Sequence, residues 1–126
     1  MEKFIKYIGL SNFIALDLET TGLNSKEDKI IEISAYKFNN GIPIETFTYL
    51  INPEQPISAT TTQITGINSI MVKDKPLFKD IEAEFISFIS DYPIVGHNII
   101  FDMNFLKMYL INYDSIFGKR MICDTF

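Results

Sequence analysis

The sequence predicts one α/β domain, a mixed sheet of five strands, the first three antiparallel, with flanking helices. Three observations lead there. Residues 13–16 are apolar without interruption before Asp17, the signature of a strand buried on both faces. Two runs rich in isoleucine and aromatics, 29–38 and 44–51, are joined by Asn39-Asn40-Gly41, which is hairpin-turn chemistry. From residue 77 onward, helical periods alternate with short apolar runs.

In the first strand Ile14, Leu16 and Leu18 share one face, with Phe13 and Ala15 ahead of the acids on the other. The second strand turns at Gly41 into a third, where Phe47, Tyr49 and Ile51 alternate with Thr46, Thr48 and Leu50. Pro53 and Pro56 end the sheet pattern, Ser58 is placed to cap a short helix, and Gly66 to end it. Residues 77–90 set Phe78, Ile81, Phe85, Phe88 and Ile89 on one helical face and Lys79, Asp80, Glu82 and Glu84 on the other. Tyr92 and Pro93 stop that helix before a short strand at 94–96. Asn98 is expected to cap a last helix with Phe101, Phe105, Leu106, Tyr109 and Leu110 buried, and residues 120–124 to form the fifth strand.

The chain has 126 residues, 47% of them hydrophobic, enough for one compact core, with no internal repeat or linker. A single cysteine, Cys123, excludes an intramolecular disulfide and is expected to be buried and inert. The first ten residues lack the apolar run and cleavage site of an export signal, and no segment approaches the roughly 18 apolar residues of a membrane span, so a cytoplasmic location is expected. A net charge of -5 argues against coating nucleic acid by counterion release. It leaves open an enzyme that meets phosphate through a bound cation, which supplies the positive charge locally.

Asp17 and Glu19, two residues apart on a strand, project from the same face about 6–7 Å apart. Their repulsion at an effective dielectric near 20 is about 2–3 kcal/mol, which solvation or a divalent cation would offset. A third carboxylate, Asp102, follows His97-Asn98 at a strand-to-helix junction that can meet the same sheet edge, although an acid in a first helical turn is also an ordinary dipole partner. Hard oxygen donors suit magnesium or manganese, and two such ions activate water and stabilise the leaving oxygen of a phosphodiester.

These residues also carry a resemblance. Asp17-Leu18-Glu19-Thr20-Thr21-Gly22-Leu23 and Ile94-Val95-Gly96-His97-Asn98-Ile99-Ile100-Phe101-Asp102, with Ile64-Thr65-Gly66-Ile67 and Met71-Val72 between them, resemble the motifs of the DnaQ-like, or DEDD, 3′–5′ exonucleases, proofreading subunits of DNA polymerases among them. The resemblance runs from about Phe13 to the end of the chain. It implies a ribonuclease H-like fold and metal-dependent hydrolysis at the 3′ end of single-stranded or frayed DNA, releasing nucleoside 5′-monophosphates. It implies Asp17, Glu19 and Asp102 as catalytic ligands of two divalent cations, Mg2+ or Mn2+, with Asp17 bridging.

It further implies Thr20, Leu23, Thr65, His97, Asn98 and Phe101 around the terminal nucleotide, with Leu23 wedged against the base. Read by themselves, Leu23 and Phe101 serve equally as core, His97 as a structural histidine and Asp124 as a structural acid. Thr60 and Thr65 stand where many members of that family have a glutamate and a histidine, so hydroxyls replace charge there. The family's last motif, a histidine base and a fourth aspartate, has no counterpart up to Phe126. Residues 1–126 are therefore expected to form a single exonuclease domain, incomplete at its C-terminus and lacking its final helices, inactive or feeble by itself. Two other functions fit the same motifs: an exoribonuclease, or a catalytically dead module docked on a polymerase or helicase.

Overall fold

The computed structural model describes residues 11–125. The reading of the first ten residues lies outside them; among the described residues no helix is long and apolar enough to cross a membrane. Five strands, β1 (Phe13–Thr20), β2 (Ile30–Asn39), β3 (Ile42–Leu50), β4 (Ile94–Gly96) and β5 (Ile122–Asp124), form one sheet in the order β3-β2-β1-β4-β5. The pairs β1/β2 and β2/β3 are antiparallel, and β1/β4 and β4/β5 parallel. The expected mixed sheet with flanking helices is therefore present.

Ile14, Leu16 and Leu18 of β1, Ile33 and Ala35 of β2 and Phe47 of β3 line one sheet face. Onto it pack Phe78, Ile81, Phe85 and Ile89 of α3 (Phe78–Ile89) and Met103, Phe105 and Leu106 of α4 (Ile99–Tyr109). Tyr113 and Phe117 of α5 (Tyr113–Phe117) complete this core. Each such side chain contributes about 1.5–3 kcal/mol of burial. The other face is less covered: Phe13 and Ala15 are half-buried, with Phe13 stacked 4.7 Å from Phe38, so β1 is central without being buried on both sides.

Ser58 caps α1 (Ala59–Thr65) through the Thr61 amide, and Gly66 ends it in the left-handed region at φ 79°, as the sequence suggests. Two short helices had no sequence expectation: α2 (Ser69–Val72), capped by Asn68, and α5. Four or five residues carry too little periodicity to register. The expected cap at Asn98 is corrected. Asn98 is itself left-handed at φ 53° and its side chain caps nothing; its backbone N–H donates to Asp124 Oδ1 at 3.1 Å, so the neighbouring strand β5 satisfies the helix start. Phe101 and Tyr109 are half-buried rather than core.

Gly96 is required by contact. A Cβ there would stand 2.8 Å from the Leu16 carbonyl and 2.6 Å from Ile99 Cδ1, so any side chain would push β4 away from β1. The fold thereby brings the end of β1 and the start of α4 to one place.

Candidate active site

Beyond Gly96, β4 has ended and β1 continues paired with β2 alone, its other edge open. There the Leu18 backbone amide hydrogen-bonds the Asp102 carboxyl from α4. Asp102 is 4% exposed, and its Oδ2 is a buried side-chain oxygen without a hydrogen-bond partner among the described residues. A buried acceptor left without a donor costs about 1–3 kcal/mol, more for a charged one. A proton or a cation would remove that cost. Burial first, then the Asp17 charge, pushes the Asp102 pKa up to about 8, with Glu19 and Asp124 adding to the rise and the Leu18 amide opposing it.

Glu19 sits on the same sheet face as Asp17 and directly opposite Glu32 of β2. Burial, followed by Asp17 and then Glu32, raises the Glu19 pKa; burial and then Asp17 raise that of Glu32. Glu32 belongs to this acidic field although no motif marks it; its signal is register, since only the hairpin alignment reveals which acid faces Glu19.

Asp17, Glu19 and Asp102 thus lie within one another's electrostatic reach. As the side chains stand, no three His, Cys, Asp or Glu residues among the described ones are gathered tightly enough to hold a metal ion. The donor set suits a hard divalent cation and the orphaned Asp102 Oδ2 asks for one. Asp17 is exposed and Glu19 half-buried, leaving both room to turn towards it. The fit is in donor type and charge, not in a preformed cage.

Next to the acids lies a cleft of about 410 Å³ whose walls include Glu19, Thr20, Leu23, Thr65 and Phe101. Leu23 is 88% exposed, which overturns its reading as core. Opposite it on α1, Ile64 is 79% exposed and lines the same cleft, so the Ile64-Thr65-Gly66-Ile67 motif contributes an aliphatic side chain to it as well as Thr65. Thr20 Oγ1 donates to the Gly22 carbonyl at 2.7 Å. The Thr65 hydroxyl is already committed, donating to Thr61 O at 2.9 Å and accepting from Ile67 N at 3.1 Å. His97 and Asn98 are exposed at the end of β4 and are not among the cleft walls. Cys123 is buried, as expected. A larger hollow of about 540 Å³, lined by residues such as Asp91, Asp114 and Arg120, contains none of the predicted site residues.

Known proteins resemble this chain in sequence and in fold. Residues 14–123 match the family described as Exonuclease, of the RNase T type. Over 95 residues the chain is 43% identical to the PolC-type DNA polymerase III of Caldanaerobacter subterraneus subsp. tengcongensis, spanning 75% of this chain and 7% of that protein. The chain therefore spans less than a tenth of that relative. Among solved structures, exonuclease X in complex with 5′ overhanging duplex DNA superposes with a TM-score of 0.63 at 30% identity, over 73% of this chain and 52% of the other. Escherichia coli exonuclease I with a dA16 oligonucleotide gives 0.77 at 19% identity, over 91% and 28%, a likeness of fold alone. With its whole sheet inside the matched span but for the first and last residue, the chain belongs to the exonuclease family.

Proposed function

We propose that this domain hydrolyses the terminal phosphodiester at the 3′ end of single-stranded or frayed DNA and releases nucleoside 5′-monophosphates. The observation that carries the reading is the sharing of Glu19: one residue lines the apolar cleft and belongs to the same acidic field as Asp17 and Asp102. A terminal base seated in the cleft would leave its phosphate beside the carboxylates.

Asp17, Glu19 and Asp102 are the residues that would hold two divalent cations, Mg2+ or Mn2+. When bound, those ions supply the charge that activates water and stabilises the leaving oxygen. Asp102, whose burial favours the protonated form, would have to release that proton to serve as a ligand. Leu23, Ile64 and Phe101 offer apolar surface to the base, which explains how an acidic protein binds a strand without a basic groove. The Thr20 main chain faces the sugar, and Thr65, His97 and Asn98 take lesser parts, Thr65 because its hydroxyl is engaged and the other two because they stand outside the cleft. DNA is favoured over RNA as substrate by the polymerase relative and by the DNA held by exonuclease X. A replicative polymerase is the corresponding partner, and the cytoplasm the corresponding compartment.

The test is digestion of matched 5′-labelled DNA and RNA oligonucleotides in Mn2+ by the protein as its gene encodes it. Stepwise shortening of DNA from the 3′ end, abolished by Asp17→Ala, is expected. Faster shortening of RNA would replace DNA with RNA in the proposal. Cation-independent binding of the 3′ end with no shortening of either strand would reduce the domain to a binding module.

A further inference from the structure

Between β1 and β2 the chain makes a nine-residue excursion, Thr21 to Lys29, that carries Leu23 at its outer end. A leucine 88% exposed on a connecting loop would ordinarily sample many positions. This loop is tied at nearly every residue. Asp28 Oδ2 accepts from the Asn24 amide at 2.9 Å, and Asp28 Oδ1 accepts from the Thr21 hydroxyl at 3.4 Å. The Thr21 hydroxyl accepts in turn from Lys29 N at 2.9 Å, and the Asp28 amide donates to the Asn24 carbonyl at 2.7 Å. Gly22 fits against the Asp28 carboxyl so closely that a Cβ would stand 2.6 Å from Asp28 Cγ. From the other wall of the cleft, buried Thr61 of α1 donates its hydroxyl to the Thr21 carbonyl at 2.8 Å.

These bonds converge on one carboxylate that lies outside the acidic field: Asp28 is not among the charges acting on Glu19 or Asp102. It lines neither the cleft nor any surface a substrate would touch there. Its bonds all act on the segment that presents Leu23. We infer that Asp28 is a positioning residue for the 3′-terminal nucleotide, holding the Thr21–Asn24 segment so that Leu23 meets the base from a fixed place. Binding then needs no loop ordering when the strand arrives, and the gain falls on substrate capture rather than on the chemical step. Thr61 does the complementary work by fixing the loop's distance from Ile64.

The inference rests on the exonuclease reading, and the experiment separates the two. Steady-state hydrolysis of a DNA oligonucleotide is measured with the protein as its gene encodes it, alongside hydrolysis of bis(p-nitrophenyl) phosphate, a diester that offers no base. Binding of an oligonucleotide ending in 2-aminopurine is followed by fluorescence in Ca2+. Asp28→Ala should raise KM and the terminal-base dissociation constant about tenfold while kcat moves less than about twofold, with turnover of the base-less diester following the wild type. Asp28→Asn, which keeps one acceptor, should recover part of the loss. Gly22→Ala should mimic Asp28→Ala by displacing the carboxyl, and the double variant should be no worse than either single one, because both break the same contact. Thermal melting confirms that the variants fold. A KM within twofold of wild type for Asp28→Ala, a kcat loss as large as the KM rise, or multiplicative defects in the double variant would each overturn the assignment. A wild-type protein that shortens no strand removes the nuclease reading alone, and Asp28 is then judged on 2-aminopurine binding.

Discussion

Asp102 and Leu18 are joined by a hydrogen bond, from the Leu18 amide to the Asp102 carboxyl, which opposes the effect of burial on a carboxyl whose other oxygen has no donor among the described residues. The proton affinity of Asp102 is therefore a stability term. Its folded pKa of about 8 exceeds the ordinary 3.8, so the cation-free folded state binds more protons than the unfolded state between those values. Stability is fullest below about pH 4 for this group and falls as pH rises to about 8, where the loss levels off. Asp102→Asn removes the titration. In chelator it should match the wild type near pH 4 and exceed it by about 2 kcal/mol or more at pH 8, a gap that urea denaturation at a series of pH values reads directly. Parallel curves for the two proteins would mean that Asp102 is not buried as seen here.

On the proposed function, divalent cations would compete with the proton for the same oxygen. Mn2+ binding should release close to one proton per protein near pH 6.5, and its apparent affinity should rise with pH until about 8 and then flatten. At a hundredfold excess over the dissociation constant, Mn2+ should add about 2.7 kcal/mol to the folded state. Calorimetry in two buffers of different ionisation enthalpy measures the proton count, and Asp102→Asn should reduce it towards zero.

How far the sequence went follows from what each feature depends on. The hairpin of β2 and β3 was legible because Asn40-Gly41 and the flanking alternation are local, and so was the α1 cap at Ser58. The cap of α4 was not, because its acceptor, Asp124, lies 26 residues from Asn98 and comes close only through the parallel pairing of β4 with β5. Asp17, Glu19 and Asp102 were legible as a set by motif, while their mutual field needed the fold. Glu32 and Asp28 were not singled out at all. Each acts through a neighbour across a strand pair or a loop, and neither has a short-range pattern of its own.

Glu32 provides the next test. Directly opposite Glu19, it places a second carboxylate where cross-strand pairs normally gain from opposite charge, and a like pair costs about 0.5 kcal/mol. Glu32→Gln should raise the stability of the cation-free protein by about that amount at pH 7 and weaken Mn2+ binding by several-fold, since one negative charge leaves the field. Unaltered Mn2+ affinity in a titration would confine Glu32 to β2 packing.

Tyr109 tests how the end of β1 is held. The pairing of β1 with β2 shifts between Glu19 and Thr20, and Ile30, aligned there with Thr20, donates its amide to the Tyr109 hydroxyl at 2.9 Å instead of to the ladder partner a regular sheet would supply. Ile30 is fully buried, so water cannot take over that amide. Tyr109→Phe keeps the ring against Phe78, 4.7 Å centroid to centroid, and deletes only the acceptor. The unpaired amide should cost about 1–3 kcal/mol, a fall of several degrees in Tm for a domain of this size. Because the irregularity separates Glu19 from the Thr20 loop, the variant should also bind Mn2+ more weakly. Thermal melting together with a Mn2+ titration distinguishes this from a simple packing defect, which would lower Tm and leave the titration where it was.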